Sequence, residues 1–185
     1  MKTLYIDTHL RDINVILFDN IEIIKQEKIV DKKQNSMYLM PSIKKVCDNE
    51  KIDEIVVVNG PGSFTGVRLG VTVAKTLAYT WNIPIKTITS LDQIALSCNN
   101  DIVGLSDGNG YFIGKYKDNK AIEYFYLKNE EYKTFIKENQ VITDVFIDYT
   151  KVLNYLREVK NINPHAVKPI YIKLIGVEND KNNQK

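Results

Sequence analysis

The residues whose types and spacing most directly suggest chemistry lie in a glycine-rich segment, Asn59-Gly-Pro-Gly-Ser-Phe-Thr-Gly66. It follows a run of β-branched residues, Ile55–Val58, that is typical of a buried strand, and it precedes a stretch with helical periodicity. Glycines let a backbone turn sharply, and the free N–H groups at the start of a helix favour an anion. The candidates for contact with phosphate in this loop are Gly60, Gly62, Ser63, Thr65 and Gly66.

The same loop lacks the features of the common nucleotide-binding motifs. The Lys-Ser/Thr ending of a Walker loop is absent, and the glycine spacing does not match the dinucleotide fingerprint. A tight connection between a strand and a helix requires the same residues. At the level of sequence, both interpretations remain open.

Two aspartates, Asp7 and Asp107, each follow a predicted strand and begin a turn. Such carboxylates could hold a hard cation and the triphosphate of ATP, but aspartate is also a common hairpin-turn residue, which is the interpretation we favour. The two histidines, His9 and His165, are too far apart for a two-histidine metal site on one helix. Ser63 lacks the frame of a nucleophile elbow. The sequence therefore predicts no catalytic residue and no metal site.

The segment that follows the loop, residues 67–81, predicts a helix with an unusually wide apolar arc. This arc spans about 200°, whereas a helix packed on one sheet needs about 100° or somewhat more. Small residues recur at every fourth position: Gly66, Gly70, Ala74 and Ala78. Either the helix is sunk between a sheet and a covering loop, or one of its faces docks on a partner protein. We favour docking, because a chain of this length has few residues left to cover the helix.

Composition narrows the function classes. The 185 residues suffice for one domain or two small lobes, 44% are apolar, and a net charge of +2 gives no strong nucleic-acid signal. Cys47 and Cys98 are isolated in sequence, which suits a reducing cytoplasm. Apolar runs of transmembrane length are absent, so we expect no membrane association.

The order of predicted elements is β-β-β-α-β-α-β-α over the first half of the chain. Three strands within residues 2–30 precede a helix at 36–48, a strand at 52–59, the helix to about residue 80, a strand at 85–89, and a short helix with a capping box at Ser90–Gln93. This order suits three antiparallel strands extended by parallel strands with crossover helices, as in an RNase-H-like lobe.

The strand pattern begins again after residue 100. Asp107 repeats the setting of Asp7, and Asp118-Asn119 repeats the turn at Asp19-Asn20, which indicates an internal duplication with a period of roughly 100 residues. A helix near 130–138, a strand at 145–147 and a helix near 150–160 are predicted to follow. We therefore expect an α/β protein with two RNase-H-like lobes of the actin, Hsp70 and sugar-kinase type. The boundaries are residues 1–98 for the first lobe, 99–177 for a reduced second lobe, and 178–185 for a disordered polar tail.

The sequence Gly60-Pro-Gly-Ser-Phe-Thr-Gly-Val-Arg-Leu-Gly70, with Ala74–Ala78 and Thr89–Leu91, resembles the signature of the TsaB (YeaZ) family. These are bacterial tRNA threonylcarbamoyladenosine biosynthesis proteins. The Ile6-Asp-Thr8 opening, the Asp107 hairpin and Pro169–Lys173 resemble further segments of that family, of which this chain would be a shortened member.

The resemblance implies a non-catalytic relative of the ATP-cleft enzymes. Members pair with the catalytic paralogue TsaD through helices of the first lobe, the ATPase TsaE joins them, and the complex modifies the adenosine beside the anticodon. The resemblance implies no cofactor of its own, a candidate nucleotide site at the partner interface, and contact with tRNA only through the complex. Homodimerisation through the same seam is expected when the partner is missing. By this analogy the partner seam lies on Met37, Met40, Gly70, Val73, Ala74 and Leu77.

An alternative from another class is a small ATP- or phosphate-handling enzyme. It would use Asp7, Asp107 and the loop at residues 60–66, with one turn from each lobe bracketing the phosphates.

Overall fold

The computed structural model describes residues 1–30 and 35–173. The predicted polar tail at 178–185 lies outside the described residues. The strands are β1 (Lys2–Asp7), β2 (Ile13–Asp19), β3 (Glu22–Ile29), β4 (Glu54–Val58), β5 (Ile85–Ile88), β6 (Ile102–Ser106), β7 (Gly110–Lys117) and β8 (Lys120–Lys128). The helices are α1 (Asn35–Cys47), α2 (Phe64–Trp81), α3 (Ser90–Cys98), α4 (Asn129–Phe135) and α5 (Tyr149–Glu158), followed by a 3-10 turn at Pro164–Ala166.

Five strands form the first sheet, in the order β3-β2-β1-β4-β5. The pairs β1–β2 and β2–β3 are antiparallel, whereas β1–β4 and β4–β5 are parallel. The predicted arrangement of this lobe is confirmed. Every residue of β4 is buried, because helices cover both faces of the sheet at this strand.

The two faces of the first sheet are covered by helices from different parts of the chain. Helices α1 and α2 pack on one face, where Leu4, Leu17, Val57 and Val71 belong to one core cluster. Helix α5, from the second half of the chain, packs on the other face. There its residues Val152, Leu153 and Leu156 meet Tyr5, Ile16, Phe18, Val56 and Val58. The second half of the chain therefore completes the core of the first sheet.

The second sheet contains the antiparallel strands β6, β7 and β8 in sequence order. Helix α3 packs on this sheet through an apolar cluster that includes Leu91 and Phe112, and its Leu96 packs in the core of the first sheet. The carboxylate of Asp92 in α3 accepts hydrogen bonds from the hydroxyls of Tyr116 (2.9 Å) and Tyr124 (2.6 Å). The connection between the sheets thus combines apolar packing with a charged hydrogen-bond acceptor.

The structure supports the predicted internal duplication. Both second strands end in a turn with a left-handed asparagine, Asn20 (φ 57°) and Asn119 (φ 58°). A register shift precedes each turn, between Leu17 and Phe18 in β2 and between Lys115 and Tyr116 in β7. These hairpins therefore share geometry as well as sequence.

The predicted strand at 145–147 is wrong. The only parallel pairing with β6 among the described residues is a single bridge between Val103 and Ile142. Residues Val145 and Ile147 pack into the cores from an irregular connection, while Phe146 between them is fully exposed. Buried and exposed side chains therefore alternate here as they do along a strand, although these residues form no strand pairing.

The predicted capping box of α3 is displaced by one residue. Thr89 is the N-cap: its hydroxyl accepts from the Asp92 N–H (2.8 Å), and the Asp92 carboxylate accepts from the Thr89 N–H (3.4 Å). Ser90 is instead buried and donates to the carbonyl of Pro61 (2.7 Å). Tertiary hydrogen bonds of this kind are invisible in a local capping pattern.

The start of the small-residue track of α2 faces the turn that follows the chain's own first strand. A Cβ atom on Gly66 would lie 2.1 Å from the carbonyl oxygen of Thr8, and one on Gly70 would lie 2.3 Å from the Thr8 hydroxyl oxygen. Ala74 and Ala78 are also buried. The backbone that approaches this track therefore belongs to the same chain.

Residues 162–173 cover a further flank of α2. Ile162 bridges to the edge strand at Ile85, and the Lys75 ammonium donates to the carbonyls of His165 and Val167, both at 3.3 Å. The inference that the chain has too few residues to cover α2 is wrong. None of the helices in the described part of the chain is long and apolar enough to cross a membrane.

Gly66→Ala should lower the free energy of unfolding by about 1–3 kcal/mol, because the new methyl group would overlap the Thr8 carbonyl. Alanine is otherwise favoured over glycine in a helix by about 1 kcal/mol, so an unhindered site would become more stable. Urea denaturation measures the difference. Thr72→Ala, on the exposed side of α2, is the matched control and should be neutral or slightly stabilising. Stabilisation by Gly66→Ala would contradict the close contact.

Candidate functional site

The glycine-rich loop packs directly against the turn that follows β1. The Ser63 N–H donates to the His9 carbonyl (2.6 Å), and the Thr8 hydroxyl donates to the Gly66 carbonyl (2.7 Å). A Cβ atom on Gly62 would lie 2.1 Å from the His9 carbonyl oxygen. These contacts explain the glycines without a ligand, and they favour the interpretation of the loop as a tight connection.

Other groups of the loop are also engaged. The hydroxyl of Ser63 caps α2 by accepting from the Gly66 N–H (3.3 Å). Gly60 has φ +108°, and a Cβ atom there would lie 2.7 Å from the Ile170 carbonyl oxygen. Thr65 is exposed in the first turn of the helix.

Asp7 is almost buried, and both of its carboxylate oxygens accept hydrogen bonds. Its Oδ1 accepts from the His9 N–H (3.1 Å) and lies 2.5 Å from the His9 Nδ1, while its Oδ2 accepts from the Gln93 amide (3.3 Å). Burial opposes ionisation, but the charge and hydrogen bonds of His9 and the Gln93 amide outweigh burial and hold the pKa of Asp7 below its ordinary value. This carboxylate stabilises the turn after β1.

The polar network around Asp7 includes residues that the sequence did not reveal. The Tyr5 hydroxyl donates to the Gln93 carbonyl oxygen at 2.5 Å across the interface between β1 and α3. Burial raises the pKa of Tyr5, so its hydroxyl remains protonated. Gln93 was predicted only as part of a capping box, because 86 residues separate it from Asp7.

Asp107 has an equivalent position in the second lobe. Its Oδ1 accepts from the N–H groups of Asn109 (3.0 Å) and Gly110 (2.9 Å), and from the Tyr126 hydroxyl (2.9 Å). Its Oδ2 binds the Lys173 ammonium at 3.0 Å. Burial works against the charge, but the hydrogen bonds from Lys173 and Tyr126 lower the pKa of Asp107 from its ordinary value. Both aspartates are therefore hairpin-turn residues, as favoured from sequence.

The two aspartates line different clefts, which share Leu10 in their walls. Asp7 lines a cavity of about 530 Å³ with Asn14 and Thr143. Asp107 lines a different cleft, of about 770 Å³, together with Gly62 and Ser63. Within residues 1–30 and 35–173, no group of three or more His, Cys, Asp or Glu side chains could hold a metal ion.

The larger cleft has mostly apolar walls and polar groups that are already paired. Phe64, Phe112 and Tyr171 contribute to its lining. At its edge the Arg68 guanidinium stacks on Phe64, with Cζ 3.6 Å from the ring centroid, and its Nε donates to the Tyr171 hydroxyl (2.7 Å). Of the residues predicted to contact phosphate, Gly62, Ser63 and Asp107 lie along this cleft.

Four residues of the predicted partner seam are accessible. Met37 and Met40 on α1 are 64% and 47% exposed, and Val73 and Leu77 on α2 are half-buried. Gly70 and Ala74 are buried against the chain itself, so their inclusion in the seam is corrected. Small side chains at every fourth position allow the close approach of either a partner's backbone or the chain's own. Only the fold shows that the chain's own backbone approaches.

A third cavity, of about 620 Å³, lies between the C-terminal ends of α1 and α2. Met40, a residue of the predicted seam, also lines this cavity, and Trp81 forms part of its wall. The sequence did not identify this cavity, although Trp81 extends the apolar arc of α2. Its other wall comes from residues 48–52 and 83, whose position depends on how the two helices pack.

A family model described as TsaD, tRNA N6-adenosine threonylcarbamoyltransferase, matches residues 27–168. The TsaB protein of Bacillus subtilis is 39% identical over 100 residues, which cover 51% of this chain and 44% of that protein. The TsaB protein of Buchnera aphidicola is 36% identical over 69 residues, which cover 35% of this chain and 33% of that protein. Each match thus spans less than half of the curated relative.

Two solved structures share the fold. YeaZ from Pseudomonas aeruginosa matches with a TM-score of 0.71 and 16% identity, over 92% of this chain and 99% of that chain. A P. aeruginosa protein described as similar to the peptidase YEAZ also has a TM-score of 0.71, with 15% identity over 93% and 99% of the two chains. The predicted α/β fold with RNase-H-like lobes is confirmed. The chain belongs to the TsaD family (tRNA N6-adenosine threonylcarbamoyltransferase), and its predicted resemblance to TsaB (YeaZ) is confirmed.

Proposed function

We propose that this chain is a non-catalytic scaffold subunit in the biosynthesis of threonylcarbamoyladenosine in tRNA. In this role it binds and activates the catalytic paralogue TsaD, together with the ATPase TsaE. The names of the Bacillus and Buchnera relatives support the pathway. The observation that carries the non-catalytic role is that Asp7 and Asp107, the carboxylates suited to a cation and triphosphate, are each engaged in their own turn.

Catalysis of phosphate chemistry depends on groups that converge on one reacting position. Asp7 and Asp107 line different clefts that adjoin at Leu10, and both oxygens of each carboxylate accept hydrogen bonds. The Ser63 hydroxyl is occupied by the N-cap of α2. An incoming Mg²⁺–ATP would therefore have to displace interactions that hold both hairpins together.

The exposed side chains of the α1–α2 face support a protein partner. Met37 and Met40 on α1 are 64% and 47% exposed, and Val73 and Leu77 on α2 are half-buried. Methionine adapts its shape to a partner surface at low energetic cost. A partner covering this face would remove several apolar side chains from water at once.

The remaining partners follow from the same proposal. The chain reaches tRNA only through the complex, which agrees with a net charge of +2. Its two free cysteines, Cys47 and Cys98, suit the reducing cytoplasm in which we place the complex. A homodimer through the seam is the expected substitute when TsaD is missing.

The alternative function, a small ATP- or phosphate-handling enzyme, is favoured by one observation. Gly62, Ser63 and Asp107 line a common cleft whose volume of about 770 Å³ falls in the range of ligand sites. The scaffold role is preferred because the polar groups of this cleft are already paired.

The isolated chain should neither bind Mg²⁺–ATP tightly nor hydrolyse it. Titration calorimetry with ATP and Mg²⁺, combined with a phosphate-release assay, tests this expectation. Tight binding with turnover by the chain alone would overturn the scaffold role. The catalytic paralogue, assayed under the same conditions, serves as the control for nucleotide quality.

The double variant Met37→Gln/Met40→Gln should bind purified TsaD at least about tenfold more weakly. A tenfold loss corresponds to about 1.4 kcal/mol, less than the burial of one methionine side chain contributes. Both residues are exposed, so the fold should be retained. Calorimetry against the paralogue from the same organism measures the affinity.

Ile122→Gln is the matched control, because Ile122 is 66% exposed on β8, outside the seam. It should bind TsaD like the unaltered chain. Equal affinity of the double variant and this control would show that α1 does not contact the partner. Gly70→Leu and Ala74→Arg are unsuitable tests, since both would disturb the chain's own core.

Asp7→Asn should reduce thermal stability near neutral pH without abolishing TsaD binding, if Asp7 is structural. The pKa of Asp7 is lowered in the folded chain relative to about 4 in the unfolded chain. Its carboxylate therefore stabilises the fold above pH ~4, and this contribution is lost as the pH falls through the folded pKa. The Tm difference between the two chains should consequently shrink in acid.

Thermal melts from pH 7 to pH 3 measure this difference. Asp118→Asn, at an exposed hairpin turn where asparagine tolerates the positive φ, provides the control and should change Tm little at any pH. A Tm difference for Asp7→Asn that stays constant down to pH 3 would contradict the structural role of the charge.

A further inference from the structure

The cavity between the ends of α1 and α2 is formed because the two helices end beside each other. Helix α2 ends at Trp81, where Asn82 adopts a left-handed conformation (φ 53°) and the Ile83 N–H donates to the Ala78 carbonyl (3.0 Å). Helix α1 ends at Cys47, and residues 48–52 then turn toward β4. We refer to this cavity as the Trp81 pocket.

The interior of the Trp81 pocket is apolar. Ile43 and Ile52 are almost fully buried, whereas Met40 and Trp81 are 47% and 40% exposed. Burial raises the pKa of the Cys47 thiol to about 11, so this side chain is neutral at physiological pH. A pocket of this kind is suited to an apolar side chain.

The charges on the rim of the pocket are unequally compensated. Asp48 binds the Lys25 ammonium at 2.9 Å, and Glu50 is paired with Lys2. Lys44 and Lys51 are exposed, and neither forms an ion pair within residues 1–30 and 35–173. The acidic groups of the rim are therefore neutralised by the chain itself, and its basic groups are not.

The two helices carry the same sign of charge. Neither α1 nor α2 contains an aspartate or glutamate, and together they contain four basic residues: Lys44, Lys45, Arg68 and Lys75. If two copies of this chain met through this face, the lysines of α1 would meet like charges, so a homodimer should be weaker than a complex with an acidic partner. A face with acidic side chains would be complementary.

We propose that the Trp81 pocket receives an apolar side chain of a protein partner, with acidic residues of that partner meeting Lys44 and Lys51. Met40 belongs both to the pocket and to the seam, so one partner can cover both. The proposal rests on the scaffold function and adds the chemistry by which the partner is selected. An apolar anchor in a pocket supplies affinity, and the surrounding charges select the partner and accelerate association.

A protein partner fits the pocket better than a nucleic acid does. The only aromatic side chain among the lining residues is Trp81, and the remaining apolar lining consists of methionine, isoleucine and cysteine. Single-stranded nucleic acids are usually bound by several aromatic side chains in a long basic groove.

The test is the charge reversal Lys44→Glu/Lys51→Glu, measured by calorimetry against purified TsaD from the same organism. We expect about tenfold or greater loss of affinity at 50 mM NaCl and a smaller loss at 300 mM NaCl, because salt screens exposed charges. Lys44→Arg/Lys51→Arg should retain the affinity. Lys117→Glu/Lys120→Glu, at the β7–β8 turn, makes the same change of net charge elsewhere and should have little effect.

The outcomes separate the two proposals. If the unaltered chain does not bind TsaD, the scaffold function and the pocket proposal both fail. If it binds and Lys44→Glu/Lys51→Glu binds equally well, or no worse than the β7–β8 control, only the pocket proposal is overturned.

Two further measurements address other occupants of the pocket. Charge reversal that dissociates a homodimer in sedimentation velocity while leaving the affinity for TsaD unchanged would overturn the proposal in favour of a second copy. A charge-reversed chain that loses tRNA binding on its own in a gel shift would overturn it in favour of nucleic acid.

Discussion

The close contact between the turn after β1 and the start of α2 is the constraint on which the rest of the structure depends. The carbonyls of Thr8 and His9 lie where side chains on Gly66 and Gly62 would otherwise be. This contact determines how closely α2 packs on the sheet, and therefore which of its residues are buried. It also occupies the Ser63 N–H, one of the loop donors that suggested a phosphate site, because this N–H bonds to the His9 carbonyl.

The same contact explains the division of roles along the chain. Asp7 holds the turn in place through His9, and Asp107 holds the equivalent turn of the second lobe together with Lys173. Both oxygens of each carboxylate already accept hydrogen bonds, which would compete with a shared cation. Helix α2 is anchored by the turn after β1 and covered on another flank by residues 162–173. Its residues Val73 and Leu77 pack against the core and stay half-buried. The accessible apolar side chains of α1 and α2 are the ones that we propose for docking.

The internal duplication shows how unequally two copies of one motif can develop. The first copy has a full parallel strand, β4, beside β1, whereas the second retains one bridge at Ile142. Helix α5, although it follows the second sheet in sequence, packs on the first sheet. There the ring centroids of Tyr149 and Tyr5 are 5.5 Å apart. The second lobe is therefore small, and it contributes to the stability of the first lobe as well as to its own.

The sequence alone determined the elements whose signals are local. Buried β-branched runs predicted β4, the hairpin turns predicted the duplicated meanders, and the loop-to-helix segment predicted both α2 and the resemblance to TsaB. Val145–Ile147 was misassigned because alternating burial in an irregular connection has the same period as a strand. The cap of α3 shifted to Thr89 because Ser90 and Gln93 have tertiary partners. Only the tertiary structure decided which backbone covers Gly70 and Ala74. It also decided which clefts Asp7 and Asp107 line, and that Trp81 lines a pocket. These outcomes depend on contacts between residues far apart in the chain, and no local pattern records which distant groups will become neighbours.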